Sequence, residues 1–194
     1  MGTTFILEQD DVRRSRATEF IRDAYFEHYG AVLDCFPEHL FTRYDHSGHL
    51  ACAAGLRTPG DGFFSELYLD HSVEQTIADL VGHDVERSAV CEVTTLVSRS
   101  PQETNAFIDD IVALIAQLGF RWSFYTLTRR LALLLKHKGL SPLELAAADA
   151  ARVPSPENWG RYYLTAPRVF AVSAEHLFSQ LPFCGVELVH AVHH

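Results

Sequence analysis

The sequence predicts an α+β fold built around one central, mixed and mostly antiparallel sheet with helices packed on it. Three observations carry the prediction. Apolar residues alternate with period 2 in some segments and recur at helical spacing in others, in the order strand, helix, several antiparallel strands, then strand–helix–strand–helix–strand. The helical segments carry their own punctuation: Gly30, Gly119 and Gly139 close three of them, and Ser100-Pro101 opens one. The 194 residues suit a single domain over 1–194, and no repeat or linker divides them.

Thr3 to Glu8 reads as a short strand, and Arg13 to Tyr29 as a helix with Ala17, Phe20, Ile21, Ala24 and Tyr25 along one stripe. Leu40–Tyr44 and Leu50–Leu56 form a predicted hairpin through Asp45-His46-Ser47-Gly48-His49. Its second strand is apolar throughout, the pattern of a strand covered on both faces. Phe63–Leu69 reads as a further strand. Ser72–Leu80 reads as a helix capped by Ser72 with Gln75 completing the box. Ala89–Val97 is a strand, and Ser100-Pro101-Gln102-Glu103 starts a helix running to about Leu118. Trp122–Leu127 and Leu143–Ala147 are strands flanking a helix from Arg129 to Lys138. The tail holds Trp159-Gly160-Arg161-Tyr162-Tyr163, an apolar run from Val169 to Val172, and a last helix near Ala174–Gln180.

Composition excludes several classes. With 47% hydrophobic and 21% charged residues the chain is neither disordered nor low-complexity. Sixteen basic against twenty-five acidic residues give a net charge of -9, which repels phosphate backbones and argues against nucleic-acid binding. No basic stretch precedes an apolar run at the N-terminus, and Ile6 stands where a myristoylation signal needs Ser or Thr, so the expected location is the cytoplasm. The longest apolar stretch, Ile111 to Phe120, is too short to cross a bilayer. Cys35, Cys52, Cys91 and Cys184 form no CxxC pair and read as small buried thiols, so neither a zinc ribbon nor another metal site is expected. His46 and His49 fall in a turn, and His190, His193 and His194 crowd the C-terminus. HExxH, GxSxG and GxxxxGK[ST] are absent.

Two carboxylates sit among apolar neighbours: Glu66, in strand alternation with Phe64 and Tyr68, and Glu92, with Val90, Thr94 and Leu96. A carboxylate there is costly to bury unless paired, and desolvation raises its pKa toward that of a general base. The alternative is a structural role, with backbone donors or an arginine such as Arg57 holding each one. The turn after Val97 leads into a helix whose first N–H groups attract anions, with Arg99 at hand, although Glu103 places a negative charge nearby. Trp159, Tyr162 and Tyr163 form an aromatic group that either positions a substrate or packs as a lid. Arg129, Arg130, Lys136, His137 and Lys138 make a basic helix on an acidic protein, read either as a solvated face or as a landing site for an acidic carrier protein.

Several motifs resemble those of the thermostable hemolysin family. Phe64-Ser65-Glu66-Leu67-Tyr68-Leu69-Asp70 looks like its FLEQYLD, and Val73-Glu74 is similar to its P-[IV]-E. Glu92-Val93-Thr94-Thr95-Leu96-Val97 resembles its EVGNLA. Leu145-Ala146-Ala147-Ala148-Asp149 and Trp159-Gly160-Arg161-Tyr162-Tyr163 resemble its LAxAD and WGxYY. The resemblance runs from about Glu19 to Val172. That family is similar to the acyl-homoserine-lactone synthases, and both resemble the GNAT acyltransferase fold.

The resemblance implies a single GNAT-like domain that moves an acyl group from a carrier-protein or coenzyme A thioester to a small-molecule amine, in specialised-metabolite or signal biosynthesis. The thioester would lie between strands Ala89–Val97 and Trp122–Leu127, its arm held by Leu96, Val97, Ser98, Arg99 and Ser100. Glu66 or Glu92 would be the base, and Tyr162 or Tyr163 an acid or positioning group. Arg57, Phe64, Tyr68, Thr94, Thr95, Trp122 and Trp159 would surround the substrates. The chain departs from the GNAT pyrophosphate loop [QR]xxGxG or [QR]xxGxA, because Val97-Ser98-Arg99-Ser100-Pro101-Gln102 has no glycine. That departure favours a carrier-protein phosphopantetheine, which presents one phosphate, as donor. Thr94-Thr95 also replaces Gly-Asn. Two rival readings are a membrane-active, hemolysin-like protein and a non-catalytic GNAT-like binding module. The sequence leaves open the acyl chain, the acceptor, any part for S-adenosylmethionine and the oligomeric state.

Overall fold

The computed structural model describes residues 2–174. Among them, strands β1 (Thr3–Leu7), β2 (His39–Tyr44), β3 (Leu50–Arg57), β4 (Val90–Ser98), β5 (Trp122–Leu127), β6 (Leu143–Ala147) and β7 (Arg168–Ser173) form one seven-stranded sheet. Its order is β1-β2-β3-β4-β5-β7-β6. Every neighbouring pair is antiparallel except β4 and β5, which run parallel. The parallel pair is joined by helix α3 (Pro101–Gln117), the crossover that a parallel connection requires.

Helices cover both faces. On one face lie α1 (Arg14–Tyr29) and α2 (Val73–Val81); on the other lie α3 and α4 (Arg129–His137). β3 lies between them, with Cys52, Ala54 and Leu56 in the core under α3 and Ala53 in the core under α1. This accounts for its unbroken apolar run. α1 ends at Gly30, whose φ of 68° places its N–H on the Phe26 carbonyl. α3 starts as its sequence dictates: Ser100 Oγ accepts the Glu103 N–H at 3.1 Å, with Pro101 in the first turn. Its buried face carries Phe107, Ile108, Ile111, Val112, Leu114 and Ile115. Each such side chain contributes about 1.5–3 kcal/mol by leaving water.

The segment expected as a strand over Phe63–Leu69 is instead a turn leading into a 3₁₀ helix, Ser65–Tyr68. β3 already has β2 and β4 on its two sides, so the sheet offers this segment no neighbouring position. Its donors go elsewhere: the Phe64 and Ser65 N–H groups bond the Glu92 carboxylate at 2.7 and 3.0 Å. Phe63, Tyr68 and Leu69 pack with Val73 and Ile77 of α2. The cap of α2 also differs from expectation. Ser72 occupies the cap position, but the Val73 N–H bonds Glu66 Oε1 at 2.9 Å and Gln75 bonds Asp79.

The apolar run at Val169–Val172 is β7, inserted between β5 and β6. Cys52 and Cys91 are buried as expected, whereas Cys35 is exposed in the irregular stretch after α1. Beyond Ala174, the helix expected at 174–180 lies outside the described residues, as do Cys184, His190, His193 and His194.

Candidate active site

The parallel ladder between β4 and β5 is short. It pairs Val90 with Trp122, Cys91 with Ser123 and Glu92 with Phe124, and then stops. Beyond Glu92 the strands part, because β4 stays with β3 as far as Ser98 while β5 stays with β7 as far as Leu127. A cleft of about 820 Å³ fills the fork. Val93, Thr95, Leu96 and Val97 line it from β4, and Tyr125, Thr126 and Leu127 from β5. Ile108, Ile111 and Val112 of α3 and Leu131, Leu134 and Leu135 of α4 make an apolar floor.

A bulge sharpens the fork. Ala53 pairs with Val97 and Gly55 with Thr94, so Thr95 and Leu96 together oppose Ala54. Thr95 has a φ of 50°, a left-handed conformation rare for a β-branched residue. Its Oγ1 is buried without a hydrogen-bond partner. Gly55 is the cross-strand counterpart: a Cβ there would meet Pro37 Cγ at 2.7 Å and Thr94 Cγ2 at 2.8 Å.

The two glutamates have different surroundings. Glu92 is fully buried at the vertex of the fork. Its carboxylate accepts the Phe64 N–H, the Ser65 N–H and, at 2.6 Å, the Ser65 hydroxyl. Burial raises its pKa above the ordinary carboxylate value, and these hydrogen bonds together with the charge of Arg57 pull the other way. Arg57 is the cross-strand partner of Glu92 and acts on it through its charge, while the hydrogen bonds to the carboxylate come from the Phe64 and Ser65 backbone and the Ser65 hydroxyl. Glu66, expected on a strand face with a raised pKa, is on the 3₁₀ helix and holds both oxygens on Arg87, at 2.6 and 2.9 Å. Arg87 lowers its pKa, the reverse of the expectation. Arg87 also bonds Glu74 of α2, so Glu66 ties the 3₁₀ helix to α2.

Aromatic side chains form the wall opposite the apolar floor. Tyr25 and Tyr29 of α1 and Tyr162 line the cleft. Trp159 packs behind them on Phe64, Tyr25 and Tyr162. The Tyr162 hydroxyl donates to the Thr126 carbonyl at 3.3 Å, and the Tyr68 and Tyr163 hydroxyls lie 2.7 Å apart. Burial raises the pKa of Tyr25, Tyr68, Tyr162 and Tyr163, which keeps these phenols protonated as donors at neutral pH. The segment carrying Tyr162 is fastened to the end of α1 by backbone: Arg161 N–H to Tyr29 O at 2.8 Å and Val32 N–H to Asn158 O at 2.7 Å.

Ser98, Arg99 and Ser100 form one mouth of the cleft. Ser98 Oγ donates to the Ser100 carbonyl at 2.9 Å, which shapes the turn without a glycine. Arg99 is exposed, its guanidinium 4.8 Å from the Phe20 ring centroid. Glu103 does not occupy the anion position: its carboxylate reaches back to Arg43 at 2.7 Å. At the other mouth, Thr128 and Arg130 begin α4.

Of the residues expected at the site, Thr95, Leu96, Val97, Ser98, Arg99, Ser100 and Tyr162 line this cleft. Glu92, Phe64, Tyr68, Tyr163 and Trp159 stand behind its walls, within the cores they pack into. Arg57 and Thr94 belong to the β3–β4 ladder, and Trp122 lines a separate hollow of about 110 Å³ with His83, Arg121 and Ser173. Sequence reasoning missed Tyr25, Tyr29, Thr126 and the α3 and α4 floor. The i, i+3, i+4 spacing of Ile108-Ile111-Val112 and of Leu131-Leu134-Leu135 was the available signal for the floor. Among the described residues, no group of three His, Cys, Asp or Glu side chains is placed to hold a metal ion, and no helix is long and apolar enough to cross a membrane.

Solved structures share this architecture. FeeM, an N-acyl amino acid synthase from uncultured soil microbes, superposes with a TM-score of 0.62 at 15% identity, covering 93% of this chain and 96% of its own. The AHL synthase LasI gives 0.62 at 8% identity, covering 95% and 98%. BjaI, a CoA-dependent acyl-homoserine lactone synthase solved with SAM and isopentyl-CoA, gives 0.59 at 11% identity, covering 92% and 87%. The GNAT-like fold expected from the motifs is therefore the one observed. A search of curated proteins finds no match. The sequence profile of the thermostable hemolysin family matches residues 7–178, the span that holds the forked strands, both glutamates and the aromatic wall, and the chain belongs to that family.

Proposed function

We propose that the protein is an N-acyltransferase that moves an acyl group from a pantetheine thioester to an amine. The observation that carries this reading is the fork: β4 loses β5 after Glu92 and presents a bulged, unpaired strand edge to an 820 Å³ cleft. A pantetheine arm carries amide groups that pair with such an edge as an added strand would. The acyl chain would lie on the floor between α3 and α4, and the thioester carbonyl beside the N–H groups of the bulge.

The amine nitrogen attacks the thioester carbonyl carbon. A C–N bond forms, the carbonyl oxygen takes negative charge, and the backbone donors of β4 stabilise it. The oxyanion then collapses, the C–S bond breaks with its electron pair on sulfur, and the nitrogen gives up a proton. Glu92 is the carboxylate suited to hold that proton, because burial raises its pKa. Glu66, neutralised by Arg87, serves the fold.

Ser98, Arg99 and Ser100 would meet the phosphate of the donor, and the exposed basic residues Arg129, Arg130, Lys136 and His137 would meet an acidic carrier protein. Proteins of the same shape are synthases of acyl-homoserine lactones and N-acyl amino acids, so the product class proposed here is an N-acyl amine, and the N-terminal sequence supports the cytoplasm as the place where it is made.

The test is thiol release. Decanoyl-coenzyme A and a decanoyl carrier protein are each offered with a panel of amino acids, homoserine lactone and simple amines. Free thiol and an amide of the summed mass are expected with at least one acceptor. No release with any pair, together with leakage of dye from vesicles at micromolar protein, would replace this reading with the membrane-active one.

A further inference from the structure

Glu92 does not reach the cleft. It is fully buried, and the Phe64 and Ser65 N–H groups and the Ser65 hydroxyl occupy its carboxylate. A base in that position needs a path for the proton, and the fork contains one. Ser65 Oγ lies 2.6 Å from Glu92 Oε1 and 2.6 Å from Thr126 Oγ1. Ser65 is itself buried, whereas Thr126 is partly exposed and lines the cleft.

The hydrogen count fixes the direction. A serine hydroxyl has one hydrogen, and an ionised carboxylate can only accept. Ser65 therefore gives its hydrogen to Glu92 and must accept from Thr126. The threonine hydrogen is then committed to Ser65, which leaves Thr126 Oγ1 able to accept an N–H from a molecule in the cleft. The register puts Thr126 at that point. Glu92 and Phe124 are the last pair before the strands part, and Thr126 is the next residue on the same face of β5.

We propose that Thr126 and Ser65 form a two-hydroxyl proton relay from the acceptor amine to Glu92, with Thr126 touching the amine and Ser65 positioning and connecting the carboxylate. This rests on the acyl-transfer reading above. As the C–N bond forms, the amine proton passes to Thr126 Oγ1, the threonine proton to Ser65 Oγ, and the serine proton to Glu92. The two hydroxyls end as they began, the carboxylate ends protonated, and the sulfur leaves as a thiolate that takes its proton from solvent. Glu92 returns its proton by the same path once the amide has left. The other titratable groups around the carboxylate are Arg57 on β3, Tyr68 on the 3₁₀ helix and the neighbouring Cys91. The Cys91 thiol is pushed up by burial, and the Tyr68 hydroxyl is raised likewise, so both stay neutral beside it.

Thr126→Val keeps the shape of the side chain and removes the relay, whereas Thr126→Ser restores a hydroxyl. With decanoyl-coenzyme A and an accepted amine, Thr126→Val is expected to lower kcat about 100-fold with little change in KM for the thioester, and Thr126→Ser to recover most of the loss. A purely structural role would leave the serine variant no better than the valine one, and that result overturns the relay.

A second measurement does not depend on turnover. The infrared band of protonated Glu92, assigned by its loss in Glu92→Gln, is followed after a pH jump. Thr126→Val should slow its appearance at least about tenfold, as removal of a general acid–base connection does. Equal rates in Thr126→Val and the parent protein overturn the relay whether or not any amine is acylated. Absence of thiol release in the parent protein counts against the acyl-transfer reading alone.

Discussion

Replacing Thr95 by glycine should make the protein more stable and less active. Thr95 holds a φ of 50° in the β4 bulge, and its Oγ1 is buried without a partner. The left-handed conformation costs a residue with a Cβ about 1–2 kcal/mol, and an orphaned buried hydroxyl costs about 1–3 kcal/mol. Glycine relieves both. Against this, its freer unfolded backbone costs about 0.5–1 kcal/mol, and the lost methyl group leaves a void worth about 1 kcal/mol. The net gain spans about 0–3.5 kcal/mol and centres on about 2 kcal/mol, which at this chain length raises Tm by about 4–8 °C. Thermal denaturation followed by circular dichroism reads the shift, and Thr95→Val separates the contributions because it drops the hydroxyl and keeps the strained φ. Thiol release should fall, because a looser bulge no longer fixes the donors proposed to meet the thioester oxygen. A glycine variant that melts below the parent temperature would refute the assignment of strain to this position.

Other perturbations have equally definite outcomes. At Gly160, φ is 52° and a Cβ would overlap the Tyr29 carbonyl oxygen, so Gly160→Ala should destabilise by about 2–4 kcal/mol, read from urea midpoints. Ile111→Trp fills part of the floor, and thiol-release rates should then favour hexanoyl over decanoyl thioesters, each lost methylene contact being worth about 0.8 kcal/mol. The two glutamates should give opposite pH dependence. Arg87 lowers the pKa of Glu66 from 4.5, so its contribution to stability is present above that value and is lost as pH falls through the folded-state pKa. Burial raises that of Glu92, so its contribution is present below 4.5 and is lost as pH rises through its folded-state pKa. Unfolding midpoints across the acid-to-neutral range should therefore show Glu92→Gln gaining on the parent protein as pH rises and Glu66→Gln losing.

Local rules account for most of the fold that the sequence made legible. Ser100-Pro101 started α3, Gly30 ended α1, and the limits expected for β5 and β6 are those observed, because each depends on residues within a few positions of one another. Phe63–Leu69 was misread because its alternation is real but its hydrogen bonds are not those of a strand; a carboxylate on β4 claims them. Nothing within that segment's own sequence announces Glu92 as its partner. For the same reason Glu66 and Glu92 looked equivalent, since both are acids among apolar neighbours. Arg87 stands nearer to Glu92 in sequence yet pairs with Glu66, and that distinction is tertiary. The mouth at Leu96–Ser100 was readable from the strand-to-helix turn. Thr126 was not, because a threonine in a strand is unremarkable until its hydroxyl is seen against Ser65.

The hydrogen bonds Arg161 N–H to Tyr29 O and Val32 N–H to Asn158 O, which fasten the segment 158–161 to the end of α1, run between main-chain atoms. Replacing Tyr25, Tyr29 or Tyr162 leaves those amides and carbonyls in place, so the aromatic wall can be refitted residue by residue while its frame stays closed. On the acyl-transfer reading, a few ring substitutions would reshape that side of the cleft for another acceptor, and the β4 edge and α3–α4 floor proposed for the donor need not change with it.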